Sequence, residues 1–253
     1  MPGAVQIERR GSLAILTLDN PDKRNALDPP MLTALVDAIR QLPSDGIRAA
    51  VLTASGTRAF SAGFDIAALP VSAPTDNPMA EVIAAVADGD LPIVAALNGL
   101  AVGGACELAC ACDLRVAHPE VTLRMPPVRL GIVYAAQALQ RFVALCGLSH
   151  TRELFLTAAS IEASRALAWG LLDRVVPVDA VLPTALALAE EIAKGAPLAI
   201  RGTRRTLERL LPPLGPTVAA ELTRLMHQAW ESEDAAEARR AFAEKRPPTF
   251  HGR

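Results

Sequence analysis

The stretch that most constrains the fold runs from residue 97 to residue 117 and reads LNGLAVGGACELACACDLRVA. It is almost wholly apolar, contains the pair Gly103 and Gly104, and carries a single carboxylate, Glu107. A helix that begins at the glycines would have apolar residues on both sides of Glu107, which leaves little room for a solvent-facing side. Because an unpaired buried carboxylate is costly, Glu107 is either a first-turn acid favoured by the helix dipole or a functional group.

The rest of the chain indicates an α/β fold. Compact apolar or β-branched runs at 13–19, 49–54, 92–99 and 114–117 are typical of strands covered on both faces. Patterns at 29–42 and around 79–87 predict helices between them. Beyond about residue 135 the pattern is mainly helical, with predicted helices at 135–146, 149–157, 162–169, 180–193, 197–211, 216–231 and 234–244. A stack of related ββα units would produce this pattern.

Charge and cysteine usage exclude several kinds of partner. The formal net charge is -2 at pH 7, so no global cationic field attracts nucleic acid or an anionic membrane. The first residues, MPGAVQIERR, lack the layout of a signal peptide, and we expect a cytoplasmic protein. Four cysteines, Cys106, Cys110, Cys112 and Cys146, have no CxxC spacing and no adjacent histidine. We expect small buried thiols and no metal site.

A second glycine stretch, TRAFSAGFDIAAL at 57–69, offers a backbone N–H donor near Phe64. The start of the helix at Gly104 offers another. Two backbone donors on separate loops can form one oxyanion hole, with Glu107 beside it to move a proton. Such a hole stabilises the enolate of a thioester.

Four segments in this order resemble the crotonase superfamily, the enoyl-CoA hydratase/isomerase family: NPDKRNAL, AFSAGFDI, ALNGLAVGGACELACACDLRVA and SEDAAEARRAFAEKRPPTF. The resemblance spans residues 14 to 250. It implies an α/β fold with a crotonase-like spiral of ββα units and an acyl-CoA site over residues 1–195. It further implies a C-terminal helical trimerisation region over residues 196–253, and a homotrimer or a homohexamer made of two trimers.

The resemblance implies a role for each matching residue. The backbone N–H groups of Phe64 and Gly104 correspond to the oxyanion donors, and Glu107 to the first catalytic glutamate. Coenzyme A is carried as part of the acyl-CoA substrate, so no separate cofactor is expected. The implied CoA-binding residues are Arg24 at a phosphate, Ala26 at the adenine, Ala62, Asp65 and Ile66 along the nucleotide and pantetheine, and Phe242 and Lys245 from a neighbouring subunit. For Arg24 and Lys245, ordinary solvated surface charge is the alternative.

The chain departs from the family at one position. Hydratases carry a second glutamate in a stretch resembling GxPExxLG, whereas residues 124–139 here read RMPPVRLGIVYAAQAL and place Pro127 there. Proline can neither activate water nor donate a proton. Tyr134, the only tyrosine, follows LGIV in a setting similar to that of methylmalonyl-CoA decarboxylase within the family. Tyr134 is therefore a candidate catalytic group, or else a core aromatic bonded to a backbone group.

Three functions remain open from the sequence. Hydratase or isomerase chemistry with Glu107 as its one catalytic glutamate is the family default. Decarboxylation of a small malonyl-type CoA ester is the alternative that Pro127 and Tyr134 favour. A non-catalytic acyl-CoA-binding protein would keep the oxyanion hole without turnover.

Overall fold

The computed structural model describes residues 2–68, 78–210 and 215–252, apart from the side chain of Ala67. In these ranges the chain forms two β-sheets surrounded by helices. The strands are β1 (Ala4–Arg10), β2 (Leu13–Asp19), β3 (Ala49–Ala54), β4 (Ala59–Ser61), β5 (Ile93–Leu97), β6 (Leu100–Val102), β7 (Leu114–Ala117), β8 (Thr122–Arg124), β9 (Ser160–Glu162) and β10 (Arg174–Val175). The helices are α1 (Pro29–Gln41), α2 (Pro78–Ala87), α3 (Gly104–Ala111), α4 (Ala136–Thr157), α5 (Ala163–Ala168), α6 (Val181–Lys194), α7 (Pro197–Arg209), α8 (Pro216–Trp230) and α9 (Glu233–Ala243).

The two sheets are built by repeating units. The larger sheet has the order β1-β2-β3-β5-β7-β10 and is parallel except for the β1–β2 pair. The smaller sheet has the order β4-β6-β8-β9 and is parallel except for the β8–β9 pair. The successive units β3-β4-α2, β5-β6-α3 and β7-β8-α4 each place one strand in each sheet. This arrangement confirms the predicted spiral of ββα units.

The central strands of the larger sheet are buried on both faces, as their apolar sequences predicted. In β3, Ala50 and Leu52 face the main core, which lies between the sheet and helices α1 to α3. The alternate residues Ala49 and Val51 pack on the other side, against α6 around Ala185. Period-two side-chain orientation in a strand explains this division between two cores.

Local sequence signals set the ends of several helices. The Asp28 side chain caps α1 by accepting a hydrogen bond from the Met31 N–H at 3.0 Å, and prolines fill the first turn. The helices predicted at 135–146 and 149–157 both form, and they meet within α4 at a kink at Gly147, whose φ of 74° and ψ of 165° are not helical. The glycine permits this backbone conformation without strain.

The C-terminal helices are tied to the spiral by a buried arginine. Arg204 of α7 donates to the Asp113 carboxylate at 2.5 Å and to the Val86 carbonyl at 2.9 Å. The division at residue 195 falls between the end of α6 at Lys194 and the start of α7 at Pro197, and it stays a prediction. Across the described ranges, no helix is both long and apolar enough to cross a membrane.

Candidate active site

The segment after β4 runs beside the segment before α1. The Ala62 N–H donates to the Arg24 carbonyl at 2.9 Å, the Leu27 N–H to the Gly63 carbonyl at 2.8 Å, and the Asp65 N–H to the Leu27 carbonyl at 2.9 Å. Leu27 and Phe64 thereby form a parallel bridge. In such a bridge the bonds come from the residues on either side of Phe64, so the Phe64 N–H points away from Leu27.

The Phe64 N–H lies beside the start of α3. Gly104 is the first residue of that helix, and its N–H is one of those that no carbonyl within the helix can bond. A Cβ added to Gly104 would lie 3.6 Å from the Phe64 nitrogen, and one added to Gly63 would lie 3.5 Å from the Gly104 nitrogen. The structure therefore brings together the two backbone groups that the sequence singled out as oxyanion donors.

Methionine covers one side of this pair of N–H groups. The Met79 Cε and Sδ atoms would lie 3.0 and 3.2 Å from a Cβ on Gly104. Met79 is buried in the first turn of α2. A larger residue at position 104 would therefore press on this thioether, which would have to shift by a few tenths of an ångström.

Glu107 lies one turn into α3 and is buried, with 8% of its surface exposed. All eight residues of α3 are buried, so the helix has no solvent-facing side. The Tyr134 hydroxyl donates a hydrogen bond of 2.6 Å to Oε2 of Glu107. Among the described residues, the hydroxyl of Tyr134 is therefore bonded to a side chain and not to a backbone group. The two residues proposed as catalytic are in direct contact.

Burial controls the protonation of this pair. It raises the pKa of Glu107 above its ordinary value, while the Tyr134 hydrogen bond and the positive charge of Arg141 act in the opposite direction and lower it. Burial and the adjacent carboxylate raise the pKa of Tyr134 well above its ordinary value. Tyr134 is therefore a donor to Glu107 over the whole neutral range, and Glu107 retains a proton to a higher pH than a solvated glutamate.

Pro127 is buried and begins a short 3-10 helix, Pro127–Leu130, that leads towards Tyr134. The turn ends at Gly131, whose φ is 64°. A Cβ on Gly131 would lie 2.8 Å from the Cα of Ala235, so the start of α9 packs directly on this loop. Pro127 offers no carboxylate. The C-terminal helix of the same chain instead supports the loop that carries Tyr134.

The predicted CoA-binding residues of the spiral lie on the two paired segments. Arg24 has a φ of 53° and an exposed side chain. Within the described part of the chain, its guanidinium makes no ion pair, whereas Lys23 pairs with Asp65 at 3.1 Å. The small residues Ala26 and Ala62 are half-buried, as is Ile66, which begins a 3-10 turn. The surface they form is therefore shallow, lined by small side chains and flanked by cationic ones.

Phe242 and Lys245 lie at the end of α9 and are exposed, Phe242 at 55%. The structure contains one chain, so their predicted role beside a neighbouring subunit stays a prediction.

The four cysteines are buried, and no disulfide bond joins any two of them. Among residues 2–68, 78–210 and 215–252, no three histidine, cysteine or acidic side chains are grouped as metal ligands.

Arg141 is the charged group near the site that sequence reasoning missed. Its side chain is largely buried in α4 and forms a long ion pair, with Nη2 3.7 Å from the Glu208 carboxylate. Arg141 follows Tyr134 by two helical turns, and nothing in the linear sequence indicates that its charge acts on Glu107. Only the packing of α4 on α3 brings them into range.

Comparison with known proteins finds relatives over nearly the whole chain. The enoyl-CoA hydratase/isomerase family profile matches residues 8–253. A candidate enoyl-CoA hydratase of Thermus thermophilus is 40% identical over 97% of this chain and 100% of the relative. A carnitinyl-CoA dehydratase of Salmonella paratyphi A is 32% identical over the full length of both. A solved methylmalonyl-CoA decarboxylase in complex with 2-nitronate-propionyl-CoA has a TM-score of 0.94 at 31% identity, covering 99% of each chain.

Proposed function

Because the chain belongs to the enoyl-CoA hydratase/isomerase family, we propose that it decarboxylates a malonyl-type CoA ester through a thioester enolate. The observation that carries the proposal is the 2.6 Å hydrogen bond from Tyr134 to Glu107, beside the two backbone donors at Phe64 and Gly104. The similarity to the solved methylmalonyl-CoA decarboxylase supports the same reaction.

The reaction begins with cleavage of a C–C bond. The bond between C2 and the substrate carboxylate breaks, CO₂ leaves, and the electron pair forms the enolate. Its oxyanion accepts hydrogen bonds from the N–H groups of Phe64 and Gly104, which need no rearrangement to stabilise it.

The second step is protonation. Glu107 in its carboxylic acid form donates a proton to C2, and the Tyr134 hydroxyl holds the carboxyl group in place through Oε2. Glu107 recovers its proton from solvent, so each turnover consumes one proton and releases one CO₂. The raised pKa of Glu107 favours the neutral form, which has a proton to give and does not repel the substrate carboxylate.

The lack of a second carboxylate supports decarboxylation over hydration. Adding water to a double bond uses one group to activate water and another to protonate carbon. Residues 124–139 contain no aspartate or glutamate, and the family position holds Pro127. Decarboxylation needs only the enolate site and one proton donor, which are the groups present here.

We propose that the substrate's CoA portion lies on the shallow surface between the two paired segments. Arg24 would contact a CoA phosphate and Ala26 the adenine, with Ala62, Asp65 and Ile66 along the nucleotide and pantetheine. The exposed guanidinium of Arg24 and the half-buried small residues support this placement.

Phe242 and Lys245 would complete the adenine pocket of a neighbouring subunit in a homotrimer or hexamer. Exposed leucines at 198 and 207 on α7, and at 210 directly after it, favour self-association.

Hydration or isomerisation of an enoyl-CoA is the second candidate. Sequence similarity favours it, because the Thermus and Salmonella relatives are described as a hydratase and a dehydratase. In that reaction Glu107 would act as a base, and a water held by Tyr134 would take the place of the second acid. Residues 124–139 offer no second carboxylate to share the acid and base roles, which is why we rank this reaction second.

One assay separates the candidates. Purified protein is supplied with methylmalonyl-CoA and, separately, with crotonyl-CoA, and both CO₂ release and loss of the enoyl double bond are recorded. We expect CO₂ release, reduced about 10²- to 10⁴-fold in Glu107→Gln and unchanged in the exposed control Glu120→Gln. Hydration without CO₂ release would overturn the proposal in favour of the second candidate. Tight binding of both esters without turnover would indicate an acyl-CoA-binding protein.

A further inference from the structure

An apolar cavity of about 290 Å³ lies beside the site. Its walls come from the loop before α4, the first turns of α4, and α8. The lining residues other than Tyr134 and Gln140 are Val133, Ala136, Leu139, Val143 and Leu222. The described lining is therefore almost entirely hydrocarbon, which disfavours any charged or strongly polar occupant.

Tyr134 connects this cavity to the proton donor. Its ring forms part of the cavity wall, while its hydroxyl is bonded to Glu107 at 2.6 Å. A substrate whose C2 lies at Glu107 and which carries a carbon chain directed past Tyr134 would place that chain in the cavity. The hydroxyl of Tyr134 therefore contacts the carboxyl group of Glu107, while Tyr134 also lines the cavity together with apolar side chains.

The cavity is larger than a methyl group requires. An apolar cavity of about 150 Å³ is enough to hold benzene in another protein, and this cavity has roughly twice that volume. A branch of four to six carbons would fill it better than a single carbon. Each methylene buried there is expected to tighten binding about fourfold.

We propose that this cavity binds an alkyl branch on C2 of the thioester, longer than methyl, so that the preferred substrates are alkylmalonyl-CoA esters. This inference rests on the proposed function for the position of C2. Val143 and Leu222 would set the length of branch that fits, because both line the cavity and Val143, at 37% exposed, lies at its border with solvent.

The first test measures binding rather than turnover. Dissociation constants of acetyl-, butyryl- and hexanoyl-CoA, which cannot lose CO₂, are measured by calorimetry on the full chain. We expect tightening of about fourfold per added methylene. Val143→Phe should retain acetyl-CoA binding and lose the gain from butyryl to hexanoyl. Leu156→Phe, on the same helix and 68% exposed, is the matched control and should retain the full series.

Two outcomes would overturn the inference. One is equal affinity for the three thioesters in the unmodified protein. The other is a Val143→Phe variant whose oligomeric mass changes while its chain-length series does not, because a second copy of the chain would then be the occupant.

The second test compares kcat/KM for CO₂ release from methylmalonyl-, ethylmalonyl- and butylmalonyl-CoA. We expect this ratio to rise with branch length. Chain-length-dependent binding without CO₂ release from any ester would overturn the proposed function and leave the cavity assignment intact.

Discussion

Glu107 is a buried carboxyl group whose protonation depends on three identifiable contributions. Burial opposes its charge, while the Tyr134 hydroxyl and the Arg141 guanidinium favour it. Burial has the largest effect, and the pKa is raised. A group used as an acid is active at pH values below its pKa and loses activity as the pH rises through it. The position of that loss on the pH scale therefore reports directly on Tyr134 and Arg141.

Tyr134→Phe should shift the pH profile of CO₂ release towards alkaline pH. The variant removes a hydrogen bond that lowers the pKa of Glu107, so the acid form persists to higher pH. The maximal kcat should fall by about 10- to 100-fold, because the carboxyl group loses its orienting partner. Arg141→Met should shift the profile in the same direction. Profiles that coincide with that of the unmodified protein would show that neither residue acts on Glu107.

The sequence identified Glu107 and Tyr134 separately but could not reveal their contact. Each was singled out by its own motif, an acid in an apolar helix and a lone tyrosine after LGIV. Their hydrogen bond joins positions 27 residues apart and depends on how α4 packs on α3. The influence of Arg141 arises from the same packing. Contacts between distant segments have no periodicity that a linear pattern could show.

At the scale of elements, the strands buried on both faces were predictable, whereas the shortest strands and the largely exposed β1 were not. Strands β2, β3 and β7 match the predicted runs because each is a continuous apolar or β-branched segment buried on both faces. Strands β4, β6, β8 and β9 have three residues each, too few for a detectable alternation. Yet β4 and β6 lead into the turns at Gly63 and Gly103, which position the two backbone donors. The elements closest to the site therefore had the weakest sequence signal.

Gly63→Ala should disrupt the oxyanion site. Gly63 has a φ of 91°, and a Cβ there would clash with the Val102 carbonyl oxygen. Relief of the clash must move either the Phe64 N–H or the start of α3. We expect a loss of unfolding free energy of about 1–3 kcal/mol and a fall in kcat of about 10²-fold or more.

The control for this variant is Gly56→Ala. Gly56 has a similar φ of 74°, but a Cβ there would meet no atom within 4 Å. This variant therefore has the backbone strain without the clash, and it should lose stability while keeping kcat. Chemical denaturation and steady-state kinetics on both variants provide the comparison. An equal loss of kcat in both would mean that the turn at Gly63 has no special relation to the site.

At the scale of the whole molecule, the C-terminal helices are part of the site's support. Helix α9 packs on Gly131 in the loop that leads to Tyr134, and Arg204 ties α7 to Asp113 and to the end of α2. The sequence predicted these helices and their self-association, but not their contacts with the spiral of the same chain. Those contacts depend on single buried groups rather than on a repeated pattern.

Arg204→Met should destabilise the whole chain. The arginine is 9% exposed, and its removal would leave Oδ1 of Asp113 and two carbonyl groups without this donor, while Oδ2 of Asp113 keeps the Ile93 N–H. We expect a loss of about 3 kcal/mol in unfolding free energy. Arg205→Met is the matched control, because the neighbouring arginine is 59% exposed and pairs with Asp90 at the surface. It should cost less than about 1 kcal/mol. Equal losses measured by denaturant titration would contradict the role assigned to Arg204.

The central claim is that Glu107, held by Tyr134, delivers a proton to an enolate formed by loss of CO₂. The most direct measurement is the NMR spectrum of the thioester produced from methylmalonyl-CoA in D₂O. We expect one deuterium at C2, in a single configuration, in the unmodified protein, and a rate of its formation reduced about 10²- to 10⁴-fold in Glu107→Gln. Deuterium distributed equally over both positions of C2, or a rate unaffected by Glu107→Gln, would show that the proton comes from elsewhere and would contradict the account.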